Sequence, residues 1–143
     1  MRIREVVAAK PDSTVVTVSP GATVRELVTL LADHNVGALV VSGDGTSVDG
    51  IVSERDVVRR LHSDPDVLSA TVESIMTGDV HTCRPDDSLD DMMSMMTERR
   101  IRHVPVCDGD QLVGIISIGD VVKHKISALE FERDQLDSYV HQS

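Results

Sequence analysis

The sequence predicts an α/β (α+β) fold in which two β-α-β-β-α repeats, related by a pseudo-twofold axis, are followed by a C-terminal helix. Three observations predict it. Segments recur at a nearly constant offset, helical and strand-like apolar spacings alternate within each copy, and a further helical stripe follows the second copy. We place the first repeat at 1–62, a linker at 63–70, the second repeat at 71–125 and the helical extension at 126–143.

The duplication is visible where Thr17–Pro20 returns as Thr82–Pro85, 65 residues later. A short strand is expected at the start of each copy, over Val15–Val18 and Val80–Cys83. Both copies continue into a helix, because apolar residues recur at i, i+3, i+4 and i+7. These residues are Val24, Leu27, Val28 and Leu31 in the first copy and Leu89, Met92, Met93 and Met96 in the second. The methionines are expected to fill the core.

A hairpin is predicted after each of these helices. Apolar runs at 36–41 and 101–106 are each followed by a Gly/Asp turn and a second apolar run. The second runs end in Gly50–Asp56 and Gly114–Asp120, where another helix begins. One copy alone would leave a sheet face uncovered, so we expect the two copies to stack with a groove between them.

The composition of the 143-residue chain narrows its function. Its net charge is −10, and it has one Phe, one Tyr and no Trp. The negative charge disfavours a nucleic-acid partner, because it repels phosphate, and the scarcity of aromatic rings removes platforms for stacked bases. We find no apolar run long enough for a membrane span or a signal peptide, so the expected location is the cytoplasm, with no membrane partner.

Three groups of residues invite a metal or redox interpretation. Cys83 and Cys107 have neither CxxC nor metal spacing, so we expect reduced thiols. The histidines show no HxxxH or HxH pattern, and no metal site is predicted from them. Four aspartates flank the start of the second-repeat helix, and we interpret them as charges at a helix N-terminus, with a divalent-metal cluster as the alternative. They are Asp86, Asp87, Asp90 and Asp91.

The duplicated unit, the repeated Gly-apolar-apolar-Ser-x-x-Asp ends and the run Arg102–Val106 together resemble tandem CBS (cystathionine β-synthase-type) domains. The resemblance covers about residues 1 to 125. It is strongest to small bacterial proteins that consist of a CBS pair with a C-terminal helix and are described as signal-transduction proteins. The resemblance implies a regulatory, non-catalytic module that binds AMP, ADP, ATP, NAD or S-adenosylmethionine in the groove.

The resemblance also implies two related nucleotide sites. Asp56 and Asp120 would each accept hydrogen bonds from ribose hydroxyls, with Ser53 and Ser117 beside the ribose or phosphate. Further contacts would come from the main chain near Thr14, Val16, Asp79 and Val80, at the adenine edge, and from Ile51 and Ile115, on the ring face. The alternative for each Ser-x-x-Asp is a helix N-terminus without a ligand, which the presence of two copies at matching positions disfavours.

Basic residues distinguish the second repeat from the first. Arg102 and His103 correspond to Gly37 and Ala38, and the resemblance implies that basic side chains at these positions contact phosphate. The planar donors of Arg102 suit phosphate oxygens, and the charge of His103 depends on pH. Arg55 is interpreted either as a further phosphate ligand or as a solvated surface charge.

Two other functions remain as alternatives to ligand sensing. An enzyme is disfavoured, because Ser53 and Ser117 have no repeated histidine partner. A dimerising interaction protein with a vestigial groove is the second alternative. For a ligand sensor and for an interaction protein alike, we expect a homodimer formed through the C-terminal helix. The competing arrangement is that this helix folds back onto its own subunit. The apolar stripe is Val122, Ile126, Leu129, Leu136 and Val140. An unidentified regulated protein would be a further partner.

Overall fold

The computed structural model describes residues 1–11 and 15–141. The elements are α1 (Ile3–Ala8), β1 (Thr17–Val18), α2 (Val24–His34), β2 (Ala38–Val41), β3 (Gly50–Ser53), α3 (Glu54–Ser63), a 3₁₀ turn (Val67–Ser69), α4 (Val72–Ile75), α5 (Leu89–Arg99), β4 (His103–Asp108), β5 (Gln111–Ser117) and α6 (Ile118–His141). This mixed α/β architecture with a long C-terminal helix confirms the predicted fold class.

Each repeat contributes one small sheet. In the first sheet, β1 runs parallel to β2 and β2 antiparallel to β3, so that Val40 lies opposite both Thr17 and Ile51. In the second sheet, β4 pairs antiparallel with β5, and Pro105 lies opposite Ile115. The two hairpins therefore have equivalent registers, as the internal duplication predicts.

The predicted initial strand of the second repeat is reduced to one bridge. Cys83 pairs with Val106, its N–H donates to the Pro105 carbonyl at 3.0 Å, and its carbonyl accepts from Cys107 N–H at 2.9 Å. Pro105 occupies the position that Val40 has in the first repeat. Since proline has no N–H, the ladder cannot continue as it does between β1 and β2.

The two hydrophobic cores exchange helices. Helix α1 buries Ile3 and Val6 completely in the core of the second repeat, and α4 buries Val72 in the core of the first. Backbone bonds fix both crossings, from Ile3 N–H to the Asp87 carbonyl (2.9 Å) and from Val72 N–H to the Ala22 carbonyl (2.8 Å). Helices α1 and α4 go beyond the predicted β-α-β-β-α unit, and they interlock the repeats.

The linker and the methionine-rich helix also contribute buried side chains. Val67, in the predicted linker at 63–70, is completely buried in its 3₁₀ turn. Met92 and Met96 are core residues, which confirms the predicted role of the methionines. Cys83 and Cys107 are free thiols, and burial raises the pKa of Cys83 to about 12. Cys83 therefore stays protonated and unreactive at neutral pH.

The exchange of helices places a bulky side chain against a glycine in each β-hairpin. A Cβ atom on Gly50 would lie 2.6 Å from Met76 Sδ and 2.9 Å from the Thr77 carbonyl oxygen. In the hairpin of the second repeat, a Cβ atom on Gly114 would lie 3.0 Å from a methyl group of Val7. Glycine at position 50 thus permits the close approach of the backbone at Thr77 to β3, and glycine at position 114 leaves room for Val7 beside β5.

We predict that Gly50→Ala destabilises the protein by about 1–3 kcal/mol, because the Thr77 carbonyl is backbone and cannot move without breaking its bridge to Ile51. Chemical denaturation measures the free energy of unfolding. The matched control is Gly21→Ala, where an added Cβ meets nothing within 4 Å. Equal stability of the two variants would contradict this account of the interlock.

Candidate functional site

A cleft of about 320 Å³ lies between the repeats. Its walls bring together three residues predicted for the ligand site: Val16 from the first repeat and Ile115 and Asp120 from the second. Aliphatic side chains such as Val36 and Val113 form much of the remaining lining. This volume lies within the range of small-molecule pockets, and we call this space the Asp120 cleft.

The Asp120 carboxylate is fixed at the start of α6 by a reciprocal pair of bonds. Its Oδ2 atom accepts from Ser117 N–H at 2.9 Å, and its own N–H donates to Ser117 Oγ at 3.1 Å. The second Ser-x-x-Asp motif therefore caps a helix, as the alternative interpretation holds. Capping does not consume the whole carboxylate, because the contacts described for the Asp120 carboxylate use its Oδ2 atom.

Lys10 also lies in the Asp120 cleft, and the sequence-based site does not include it. Its ammonium is 3.0 Å from Asp120 Oδ2 and donates to the Ile115 carbonyl at 2.5 Å. Burial raises the pKa of Asp120, but the Ser117 N–H and the Lys10 ammonium lower it more, so that the pKa lies below its usual value. At neutral pH the cleft thus contains an ionised carboxylate paired with an ammonium.

A signal for Lys10 exists in the sequence. The spacing of Ile3, Val6 and Val7 recurs in Val72, Ile75 and Met76, and both triplets indicate a short helix before the initial strand. Lys10 follows the first of these helices. Its position in the cleft still depends on α1 crossing to the second repeat, which local spacing does not predict.

The first Ser-x-x-Asp motif has the same local geometry. Asp56 Oδ2 accepts from Ser53 N–H at 2.8 Å and from Ser53 Oγ at 3.1 Å, while Asp56 N–H donates back to Ser53 Oγ at 3.3 Å. Asp56 lines a smaller polar recess of about 240 Å³ with Arg59 and Arg60. Among the described residues, the lining of this recess includes none of the others predicted for the second site.

The remaining residues predicted near Asp56 are dispersed. Ile51 is half-buried and exchanges two backbone bonds with Thr77, at 3.0 and 2.9 Å. Asp79 is exposed, and Val80 is half-buried before the bridge at Cys83. Arg55 and Arg102 are exposed on the surface, and Thr14 lies outside the described residues.

His103 lies at the contact between the repeats. Its ring is close to Gly37, since a Cβ atom there would be 3.5 Å from His103 Cε1. Burial lowers the pKa of His103, and the positive charge of Lys10 adds to this, while the carboxylates of Asp120 and Glu54 oppose it. The imidazole is therefore predominantly neutral at pH 7, so that any phosphate contact it makes uses a neutral N–H donor.

The described residues include neither a metal-binding cluster nor a membrane-spanning helix. In the part of the chain that the structure describes, His, Cys, Asp and Glu side chains form no group of three that could hold a metal ion. The acidic start of α5 instead has ordinary partners: Ser88 Oγ accepts from Asp91 N–H, and Asp90 pairs with Lys125. Across residues 1–11 and 15–141, no helix combines the length and apolarity that crossing a bilayer requires.

Two α/β units that exchange helices and enclose a cleft of small-molecule size define a tandem-repeat module. Residues 3–63 and 72–127 match the CBS domain family. The chain belongs to this family and carries two CBS domains in tandem, which confirms the resemblance seen in the sequence.

Relatives and solved structures agree with this assignment. The chain is 33% identical over 113 residues to the CBS domain-containing protein YhcV of Bacillus subtilis, covering 79% of this chain and 80% of YhcV. A Burkholderia ambifaria protein described as a signal-transduction protein with CBS domains is 41% identical, with a TM-score of 0.82 over 89% of this chain and 95% of that one.

A third comparison concerns a structure that holds ligands. The CBS domain pair of MJ0100, solved in complex with 5′-methylthioadenosine and S-adenosyl-L-methionine, shares the fold with a TM-score of 0.77. It is 23% identical, and the match covers 90% of this chain and 98% of that one. At this identity the likeness establishes a common fold.

Proposed function

We propose that the chain is a regulatory module that binds adenosyl ligands, such as AMP, ADP, ATP or NAD, between its CBS repeats. The observation that carries the proposal is the position of Asp120, an ionised carboxylate that is paired with Lys10 in a cleft whose other walls are mostly aliphatic. A nucleoside matches these two properties, because its ribose hydroxyls donate to a carboxylate and its base is a flat, weakly polar ring.

The aliphatic walls suit the base. Val16 and Ile115 line the cleft from opposite repeats, and an adenine ring between them would replace water on both faces. Aliphatic contacts of this kind need no aromatic residue, which agrees with the composition of the chain. The CBS pair of MJ0100 supports the choice of ligand class, because its complex holds two adenosyl compounds on the same fold.

Regulation would follow from the shared lining of the cleft. Residues of both repeats line the Asp120 cleft, so that a bound nucleoside would contact both units at once. A ligand shifts the arrangement of the repeats by its difference in affinity between two conformations. A regulated protein that contacts both repeats would then respond to the ligand.

We predict that AMP or a related adenosyl compound stabilises the folded protein. At a ligand concentration 100 times the dissociation constant, stabilisation amounts to about 2.7 kcal/mol per site. Thermal melting with a panel of AMP, ADP, ATP, NAD, adenosine and S-adenosylmethionine measures the shift. A folded, ligand-free protein whose transition is moved by no compound of the panel at millimolar concentration would exclude the proposed function.

We further predict that Asp56→Ala and Asp120→Ala each weaken one nucleotide site by roughly 10-fold or more, because each removes a charged acceptor of ribose hydroxyls. Calorimetric titration resolves the sites. Both changes also remove a carboxylate that accepts from the N-cap N–H, at a cost of about 0.5–1.5 kcal/mol in stability, the net value of one hydrogen bond.

Glu26→Ala is the matched control, since Glu26 holds the same position in the capping box of α2, where it accepts from Thr23 N–H. It should reduce stability comparably and leave ligand affinity unchanged. If Glu26→Ala and Asp120→Ala changed ligand affinity equally, Asp120 would act only as a helix cap, as Glu26 does.

We also propose that the protein is a homodimer and that the end of α6 contributes to the interface. Side chains from Leu129 to Tyr139 are exposed, so this part of the helix presents its apolar residues to solvent in the described structure. Its exposed apolar residues include Leu129 (50%), Phe131 (65%) and Leu136 (66%). A second copy of this helix is the simplest surface that would cover them, because isolated helical segments of this length are marginal in water.

Light scattering tests this arrangement. The full-length chain is expected to be a dimer, and a chain ending at Lys125 is expected to be a monomer that still binds adenosyl ligands, since the cleft lies within the repeats. A monomeric full-length chain would contradict the dimer. An unchanged dimer after truncation would move the interface to the helices of the repeats.

A further inference from the structure

The two crossing helices are followed by residues of opposite charge. Val7 of α1 lies against Gly114, and Met76 after α4 lies against Gly50 in the equivalent place. Three residues further along the chain come Lys10 in the first case and Asp79 in the second. The duplicated framework therefore has a cation, Lys10, next to the Asp120 carboxylate, and the equivalent sequence position in the second copy holds the anion Asp79.

The partner of Lys10 shows that this cation is built into the cleft. In the first repeat, the Ile51 carbonyl accepts a backbone bond from Thr77 N–H at 2.9 Å. The equivalent carbonyl, that of Ile115, accepts instead from the Lys10 ammonium at 2.5 Å. The lysine replaces a backbone bridge, and its side chain is 29% exposed.

The bonds of the ammonium leave it able to take an anionic ligand. Of its three N–H donors, one is directed to Ile115 and one to Asp120 Oδ2, at 3.0 Å. A ribose that donates to the Asp120 carboxylate would compete with Lys10 for this acceptor. With a neutral ligand, the Lys10 ammonium would lose part of its interaction with the Asp120 carboxylate and gain no other anion. A phosphate instead supplies a new, negatively charged acceptor for the ammonium.

We propose that Lys10 binds the phosphate of the ligand in the Asp120 cleft, so that this cleft prefers adenosyl ligands with a 5′-phosphate to neutral or cationic ones. The inference rests on the proposed function and deepens it by naming the ligand class of one site. Lys10 exchanges part of its ion pair with Asp120 for one with the phosphate, and the flexible lysine stem allows this movement. S-Adenosylmethionine, whose sulfonium is cationic, is disfavoured in this cleft.

The test uses the full chain with Asp56→Ala, which reports on the Asp120 cleft. Calorimetry first measures AMP, 5′-methylthioadenosine and adenosine, and AMP is expected to bind more tightly than the two neutral compounds. Lys10→Met should then reduce AMP affinity roughly 10-fold or more, because a charge-assisted hydrogen bond is lost. Adenosine affinity should stay within about twofold or rise, since no ion pair then has to be disturbed.

Three further variants separate phosphate binding from a structural role. Lys10→Gln retains an N–H donor for the Ile115 carbonyl and loses the charge, so it should behave as Lys10→Met if both fold. Lys10→Arg should retain the preference for AMP. Lys125→Met is the matched control, because it breaks another Lys–Asp pair of 3.0 Å, with a 33% exposed lysine, and should change neither affinity.

Equal losses of AMP and adenosine affinity in Lys10→Gln would assign Lys10 to the structure of the cleft and overturn the proposal. The proposal would also be overturned if Lys10→Met left the ratio of AMP affinity to adenosine affinity unchanged. If neither AMP nor adenosine binds the unaltered chain, the proposed function itself fails. That outcome differs from a chain that binds both ligands without any effect of Lys10.

Discussion

The burial of α1 and α4 in the core of the opposite repeat is the interaction on which the rest of the structure depends. Ile3 and Val6 are completely buried in the second core, and Val72 is completely buried in the first. Full burial of such a side chain contributes about 1.5–3 kcal/mol. The same crossing brings Val7 to Gly114 and carries the chain on to Lys10, so that the packing of α1 forms one wall of the cleft.

The cleft combines a structural motif with a chemical one. Ser117 and Asp120 exchange bonds that satisfy the first turn of α6, and the same bonds hold the Asp120 carboxylate in a fixed orientation. A carboxylate fixed in this way loses little side-chain entropy when a ligand donates to it. The capping and ligand-binding interpretations of Ser-x-x-Asp are therefore compatible, and substitutions elsewhere in the chain are needed to separate them.

Local sequence patterns predicted most helices and strands. The features that these patterns did not predict depend on long-range packing. The 65-residue duplication correctly indicated the two hairpins and the Met-filled helix, and the apolar stripe after the second copy indicated the C-terminal helix. The structure brings three of the predicted site residues, Val16, Ile115 and Asp120, together in one cleft. The resemblance supplied the ligand roles of these residues. Lys10 was missed because its contact with Asp120 spans most of the chain and requires α1 to pack on the second repeat. The Val80–Cys83 strand was overpredicted because Pro105, on the neighbouring strand, cannot donate to it.

The exchange of helices also constrains how the chain can fold during synthesis. The first core is complete when Met76 has emerged, whereas Ile3 and Val6 pack with Ile116 and Val121, more than 100 residues further along the sequence. Contacts between residues so far apart in sequence are costly in loop entropy and slow to form. Helix α1 must therefore wait, with its apolar face uncovered, until Ile116 and Val121 have left the ribosome. It is synthesised before the first core and packs after that core has formed.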